Sequence, residues 1–370
     1  MSIVSDYRPL TLGQTAAPVL DLAILDTPDP SSALVLAHAS GDFATAALPM
    51  AELRPLVAFR DQMHQAVLGL NAHPAAELCE AFGHRLFGFL IRGEVADLYA
   101  RLPRGHVRIQ ILATHPELAA LPWELMCEPG TLAGPSRQRS IARIVPAQGH
   151  SAPKPTHMPG AIRVLFVAAS PADQFPVDSE SVRRALEYAF RLQLPSDVSI
   201  TVINGASRKA LGQALARHQF DILHFSGHGD VSAEGVGRLV LVDAKNRGTD
   251  FVEAAELARM LSGLALRLVV LSACETACGN FRDDFAVTAA ALIRSGIPAV
   301  VANQMPVPNA TIAPFTGGLY RALLRDGDID KAVVEGRLQL AQDLSSFEWA
   351  IPVLYRHYEV THLFEGDRHE

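Results

Sequence analysis

At 370 residues the chain is long for one hydrophobic core, so two domains are the starting expectation. Apolar residues make up 49% and charged residues 19%, which excludes global disorder. The net charge of −7 is spread without a basic block, which argues against direct nucleic-acid binding. The first residues, Met1-Ser-Ile-Val-Ser-Asp-Tyr-Arg-Pro, lack the basic-then-apolar layout of a secretory signal. No run reaches the ~18 uninterrupted apolar residues of a membrane helix. The most apolar stretch, Phe285 to Ala302, is broken by Arg294, Ser295, Gly296 and Pro298. A protein acting away from membranes is therefore expected. Four cysteines (Cys79, Cys127, Cys274 and Cys278) are too few for a disulfide scaffold. A reduced, cytoplasmic setting follows as the expectation. Cys274 and Cys278 have no matching second pair, so neither zinc nor any other cofactor is expected.

In chain order, residues 1–50 read as a small β unit. Val19 to Leu25 and Ala33 to Ala37 are apolar runs parted by the turn cluster Asp26-Thr-Pro-Asp-Pro-Ser-Ser, with a third strand at Ala44 to Met50. From Ala51 to about Arg101 the period is helical, with Leu53, Leu56 and Val57 on one face and Phe82, Leu86, Phe89 and Leu90 on another. Val107 to Leu112 reads as a strand, Pro116 to Met126 as a turn and short helix, and Ile141 to Val145 as a strand. Ala147 to Gly160, rich in proline and glycine, is the linker candidate. These signals divide the chain into a first domain at 1–150, a linker at 151–160 and a second domain at 161–370.

From Ala161 strands and helices alternate. Strands are expected at Arg163 to Ala169, Val198 to Ile203, Phe220 to Phe225, Arg238 to Val242, Leu266 to Leu271, Ala299 to Ala302 and Ile351 to Tyr355. Helices are expected between them, capped by Ser179 and Ser207 and covering Glu253 to Leu261, Phe285 to Arg294, Ala310 to Leu324 and Asp328 to Asp343. This alternation implies a mostly parallel sheet with helices on both faces.

Two strands end in chemistry. Asp221-Ile-Leu-His-Phe-Ser-Gly-His-Gly-Asp230 delivers His228 in a glycine turn, and Leu268-Val-Val-Leu-Ser-Ala-Cys-Glu-Thr276 delivers Cys274 just past a strand. In an open α/β sheet the reactive crevice lies outside the carboxyl ends of the strands. A thiol and an imidazole meeting there form a nucleophile and base pair. Gly227 and Gly229 permit positive φ and close backbone approach. The N–H groups of Gly229 and Cys274 are candidates for an oxyanion hole. Each assignment has a plain competitor. Cys274 could be a packing cysteine, and His228 an incidental residue of a glycine turn or of a phosphate cradle. His224 reads as a hydrogen-bonded core histidine, Asp230 as a substrate-pocket residue or a turn cap, and Met305 as pocket lining or edge packing. Gln304, at the end of the neighbouring strand, is a pocket candidate. Trp123 and Glu124 read as a domain interface.

Ser226-Gly-His-Gly together with Ser272-Ala-Cys-Glu-Thr resembles the CHAT domain, a branch of the caspase-like cysteine proteases that includes separases and metacaspases. Leu121-Pro-Trp-Glu-Leu, Ile141-Ala-Arg-Ile-Val, Ala168-Ala-Ser-Pro-Ala, Pro298-Ala-Val-Val-Ala and Ile351-Pro-Val-Leu-Tyr also fit. The resemblance implies a caspase-like three-layer α/β fold with a mostly parallel central sheet and a degenerate caspase-like companion domain at 1–150. It implies a cysteine endopeptidase with His228 and Cys274 as the dyad. Ser272 stands where separases and metacaspases commonly carry an acidic residue, which points to a neutral P1 residue. About ten residues separate Cys274 from the helix at Phe285, too few for a caspase-type processing linker. An activator or sensor acting in trans is the expected control, within a bacterial antiviral defence or cell-death pathway. The expected substrate is a protein such as a gasdermin-like effector. The competing hypotheses are a catalytically silent scaffold working through surfaces near Trp123 or the linker, and a nucleotide sensor using the Ser226–Asp230 turn.

Overall fold

The computed structural model describes residues 17–131, 134–146, 156–157, 162–193, 198–245, 247–275, 284–307, 309–343 and 347–365. Three strands, β1 (Val19–Asp26), β2 (Ser32–Ala39) and β3 (Asp42–Pro49), form an antiparallel meander. The β2–β3 turn is made by Ser40 and Gly41, both at positive φ, as a two-residue hairpin whose twist matches its strands requires. Helices α1 (Leu53–Val67), α2 (Ala76–Leu90) and α3 (Gly93–Ala100) follow. Then come β4 (Val107–Ala113), α4 (Pro116–Ala119) and β5 (Arg139–Ile144). Of the expected linker at 151–160, only β6 (Thr156–His157) lies among the described residues.

The second half runs β7 (Ile162–Ala168), α5 (Ser179–Gln193), β8 (Val198–Asn204), α6 (Arg208–Arg217), β9 (Ile222–Val231), β10 (Gly237–Val242) and β11 (Thr249–Glu253). It continues with α7 (Ala254–Leu261), β12 (Leu268–Glu275), α8 (Asp284–Arg294), β13 (Ala299–Asn303), α9 (Asn309–Asp326), α10 (Ile329–Asp343), β14 (Pro352–Arg356) and β15 (Phe364–Glu365). Ser207 caps α6 as expected, its Oγ accepting the Ala210 N–H at 3.2 Å. Gly296 and Gly327, both at positive φ, sit in the turns after α8 and α9.

One sheet runs through both halves. β8, β7, β9, β12 and β13 are parallel neighbours, β14 lies antiparallel to β13, and β14 then pairs in parallel with β5. From β5 the sheet continues through β4 and β1 to the meander. The last long strand in sequence is thus the seam between the halves. One apolar cluster runs from Leu20 on β1, through Phe82 and Leu86 of α2, to Leu186 of α5 and Leu319 of α9. The opposite face of the second half is covered by α6, α7 and α8, through Leu211, Leu257 and Leu292. The result is the three-layer α/β arrangement expected from the sequence.

Buried charges reinforce the seam. Arg108 on β4 donates to Asp328 at 2.6 and 3.0 Å and to Asp330 at 2.9 Å, and Arg356 on β14 donates to Asp330 at 3.1 Å. Two cations and two anions balance, as buried charges must.

The strands β9 and β12 are longer than the sequence suggests. β9 does not stop at Phe225 but runs to Val231, so His228 sits on a strand and not in a turn. β12 likewise continues through Cys274 to Glu275. The cause is pairing on both edges: β9 is held by β12 along one side, and by β7 and then β10 along the other. Partners of this kind override the turn propensity of Ser-Gly-His-Gly. The expected positive φ at Gly227 and Gly229 is absent. Gly227 serves close approach instead, since a Cβ there would lie 2.6 Å from Phe225 Cζ and 2.8 Å from the Ala169 carbonyl. Asp230 does not cap a turn. It lies on β9 opposite Arg238 of β10 and pairs with that guanidinium, which also stacks 4.1 Å from the Phe251 ring centroid.

His224 gives a pH prediction. The side chain is fully buried, its Nδ1 lies 2.9 Å from the Tyr320 hydroxyl, and its ring stacks on Phe166 with centroids 5.3 Å apart. Burial pushes its pKa down to about 3. Between the unfolded value of about 6.5 and that folded value, the unfolded chain binds the extra proton. Stability therefore falls as pH drops through this window, by up to about 1.4 kcal/mol per pH unit from this residue. Melting temperatures measured from pH 7.5 to 5.0 should fall more steeply for the native chain than for His224→Phe. Parallel curves would refute the assignment.

Candidate active site

The parallel register of β9 and β12 places Cys274 directly beside His228, with Ser272 beside Ser226 one pleat below. The two residues singled out by sequence are thus neighbours across one strand gap, at the carboxyl-terminal end of both strands. His228 is buried, with 2% of its surface exposed. Its Nε2 lies 2.7 Å from the Phe175 carbonyl. A carbonyl can only accept, so Nε2 carries the proton. In the neutral ring Nδ1 is then the basic nitrogen, and among the described residues it has no hydrogen-bond partner. The hydrogen bond at one nitrogen thereby decides which nitrogen can take up a proton.

Phe175 belongs to the loop between β7 and α5. Its base is locked to β9, because the Ala169 N–H donates to the Ser226 carbonyl at 2.9 Å and the Ser226 hydroxyl donates to Ser179 at 2.9 Å. Beside this loop, at the ends of β7 and β8, a cavity of about 320 Å³ is lined by Ser170, Asp178, Ser179, Glu180, Arg183 and Arg247, among others. The four residues expected to form a substrate pocket (Ser272, Gln304, Met305 and Asp230) do not line it.

Each of those four has another environment. Ser272 is 4% exposed on β12, and Met305 is 5% exposed within the core cluster. Gln304 follows β13 and turns toward the first half. Its Oε1 accepts from Arg143 at 2.6 Å, and its Nε2 donates to Glu124 at 2.9 Å and to the Ala350 carbonyl at 2.7 Å. Glu124 is itself buried and accepts from Arg143 at 2.8 and 3.2 Å. Burial alone would raise its pKa, but the Arg143 charge and hydrogen bonds outweigh that and hold it below the ordinary carboxylate value. Trp123 is fully buried, with Nε1 donating to the Leu118 carbonyl at 2.9 Å, so it offers no surface to a partner.

Gly229 pairs with Leu239 on one side and lies beside Glu275 on the other, so its N–H belongs to a strand and not to an open turn. Thr276 and Cys278 lie outside the described residues. Among the described residues no group of His, Cys, Asp and Glu side chains could hold a metal ion. No helix described is long and apolar enough to cross a membrane. The feature that sequence reasoning missed is the Phe175 carbonyl, a backbone atom for which no residue type is a signal.

Compared with known proteins, residues 80–357 match the family model described as the CHAT domain. No curated protein matches in sequence. Among solved structures, the Saccharomyces cerevisiae separase–securin complex is similar at a TM-score of 0.50 and 12% identity, covering 92% of this chain and 30% of the separase-complex chain. The complex of the Porphyromonas gingivalis RgpB pro- and mature domains is similar at a TM-score of 0.46 and 10% identity, covering 85% of this chain and 78% of that one. This chain therefore spans about a third of the first of these.

Proposed function

The chain belongs to the CHAT domain family, and from that premise we propose that it is a cysteine endopeptidase with Cys274 as nucleophile and His228 as base. One observation carries the reading. The buried imidazole of His228 leaves Nδ1 unpartnered at the register position beside Cys274, while its other nitrogen is committed to a carbonyl.

In the reaction, Nδ1 takes the thiol proton and the thiolate attacks the scissile carbonyl carbon. Of the two N–H groups expected to stabilise the oxyanion, that of Gly229 lies within the paired strand β9, which leaves the Cys274 N–H as the candidate. The imidazolium then gives its proton to the leaving amine, and a water activated by the same nitrogen hydrolyses the thioester. Ser272, beside the nucleophile, brings no acidic group, which favours a neutral P1 residue. Of the other pocket candidates, Asp230 lies on the same strand as His228, whereas Gln304 is bonded to Arg143 and Glu124 and Met305 is buried in the core. The first half, 1–150, serves as a companion domain whose buried contacts brace the catalytic half. The substrate is a protein, such as a gasdermin-like effector of a cytoplasmic defence or cell-death pathway, and an activator in trans controls cleavage.

A thiol-reactive peptide probe tests the dyad. Burial pushes the Cys79 and Cys127 thiols up to about 11, so neither competes at neutral pH. In a Cys278→Ser background, which removes the remaining thiol, labelling should vanish in Cys274→Ala and drop sharply in His228→Ala. Full labelling of either variant would falsify the assignment.

A further inference from the structure

We infer that Asp173 and Thr249 are positioning residues for His228, clasping the loop whose Phe175 carbonyl fixes that ring. The inference rests on the dyad proposed above. The β7–α5 loop has little apolar anchorage at the point where it meets the histidine. Ala172, Asp173, Phe175 and Pro176 are all exposed, and the Phe175 side chain is 75% exposed. Pro171 at the loop's base is buried and Val177 is half-buried, but beside Phe175 itself no buried side chain holds the carbonyl in place.

Polar bonds to the β10–β11 hairpin do so instead. Asp173 Oδ2 accepts the Thr249 N–H at 3.0 Å, and Oδ1 accepts the Thr249 hydroxyl at 2.9 Å. Gln174 Nε2 donates to the same hydroxyl at 3.1 Å, and the Ala172 N–H donates to the Arg247 carbonyl at 2.9 Å. Arg247 holds a positive φ of 62°, uncommon for a side chain of its size. Four hydrogen bonds thus cross from residues 172–174 to residues 247–249, immediately before Phe175. β11 is an edge strand whose partner β10 pairs directly with His228 through Val240. The clasp therefore ties the loop whose carbonyl meets the imidazole to the hairpin that pairs with the His228 backbone.

A carbonyl that drifts by about 1 Å no longer fixes the ring, and misplacement of that size can cost about 10²-fold in rate. The test pairs NMR with kinetics. In uniformly ¹⁵N-labelled protein, the His228 Nε2–H proton should appear as a downfield signal protected from solvent exchange, assigned by its loss in His228→Gln. In Asp173→Ala and Thr249→Val its exchange should quicken at least tenfold, whereas Thr249→Ser, which keeps the hydroxyl, should match the native chain. With a fluorogenic protein or peptide substrate, kcat should fall about 10- to 100-fold in the first two variants with KM little changed. Melting temperatures should stay close to native, because the bonds are on the surface. Native exchange in both Asp173→Ala and Thr249→Val overturns the inference, and so does a Thr249→Ser protein as impaired as Thr249→Val. If exchange quickens as expected but Cys274→Ala still cleaves at the native rate, the clasp stands and the protease assignment falls.

Discussion

His228→Gln should lower kcat/KM by about 10³-fold or more while leaving the fold close to native. General-base catalysis by a positioned imidazole is worth about 10²- to 10⁴-fold, and members of a dyad fail together. Glutamine is the informative substitute because it separates the two nitrogens. Its amide nitrogen can still donate to the Phe175 carbonyl, as Nε2 does at 2.7 Å, but it has no basic lone pair to offer Cys274. Alanine loses both functions. The structural part of that loss is one hydrogen bond, a net cost of about 0.5–1.5 kcal/mol, together with the packing of a buried ring. The two variants should therefore be equally inactive, with His228→Ala melting lower. A glutamine variant within tenfold of native activity would show that Nδ1 is not the base, however well the register aligns the two strands.

Most of the second half was legible because buried parallel strands are short apolar runs and their helices show a 3.6-residue period. Arg163 to Ala169, Leu266 to Leu271 and Ala299 to Ala302 carry that signal without help from distant residues. Three features were not legible, each for a physical reason. The extension of β9 through Ser226-Gly-His-Gly depends on partners at both edges, and local propensity there points the other way. β11 is polar, with only Val252 buried, so as an edge strand it has almost no apolar signature. The position of β14 between the halves is a matter of strand order, which no local pattern encodes. The site follows the same rule. His228 and Cys274 announce themselves by residue type and setting, but the Phe175 carbonyl is a main-chain atom. The partner of Gln304, Glu124, is 180 residues away.

Glu124→Ala is the substitution with the largest expected cost in stability, about 3–5 kcal/mol, because it removes the anion from a buried ion-pair cluster. Glu124 lies inside the molecule between Arg143, which is 6% exposed, and Arg337, which is 3% exposed, with its carboxylate 3.9 Å from the latter. Burial already pushes the Arg337 pKa down to about 10, against the attraction of Glu124. Removing the carboxylate leaves both buried guanidinium groups without their anion, and costs the Gln304 amide one of its hydrogen bonds. Glu124→Gln preserves shape and some hydrogen bonding, so it should cost less than alanine but still lower the melting temperature by several degrees. Replacing Glu124 and Arg143 together by leucine and methionine should cost less than the sum of the single changes, because the double variant leaves one buried guanidinium, Arg337, without its anion where Glu124→Ala leaves two. Gln304 directly follows β13, whose other neighbour is the strand carrying Cys274. The same variants should therefore weaken peptide turnover in the population that remains folded, with KM rising before kcat falls. Calorimetric melting and turnover measured on the same preparations separate the two effects. A Glu124→Ala protein less than about 1 kcal/mol below native would mean that water or a solvent anion replaces the lost carboxylate, and that the buried cluster does not brace the seam.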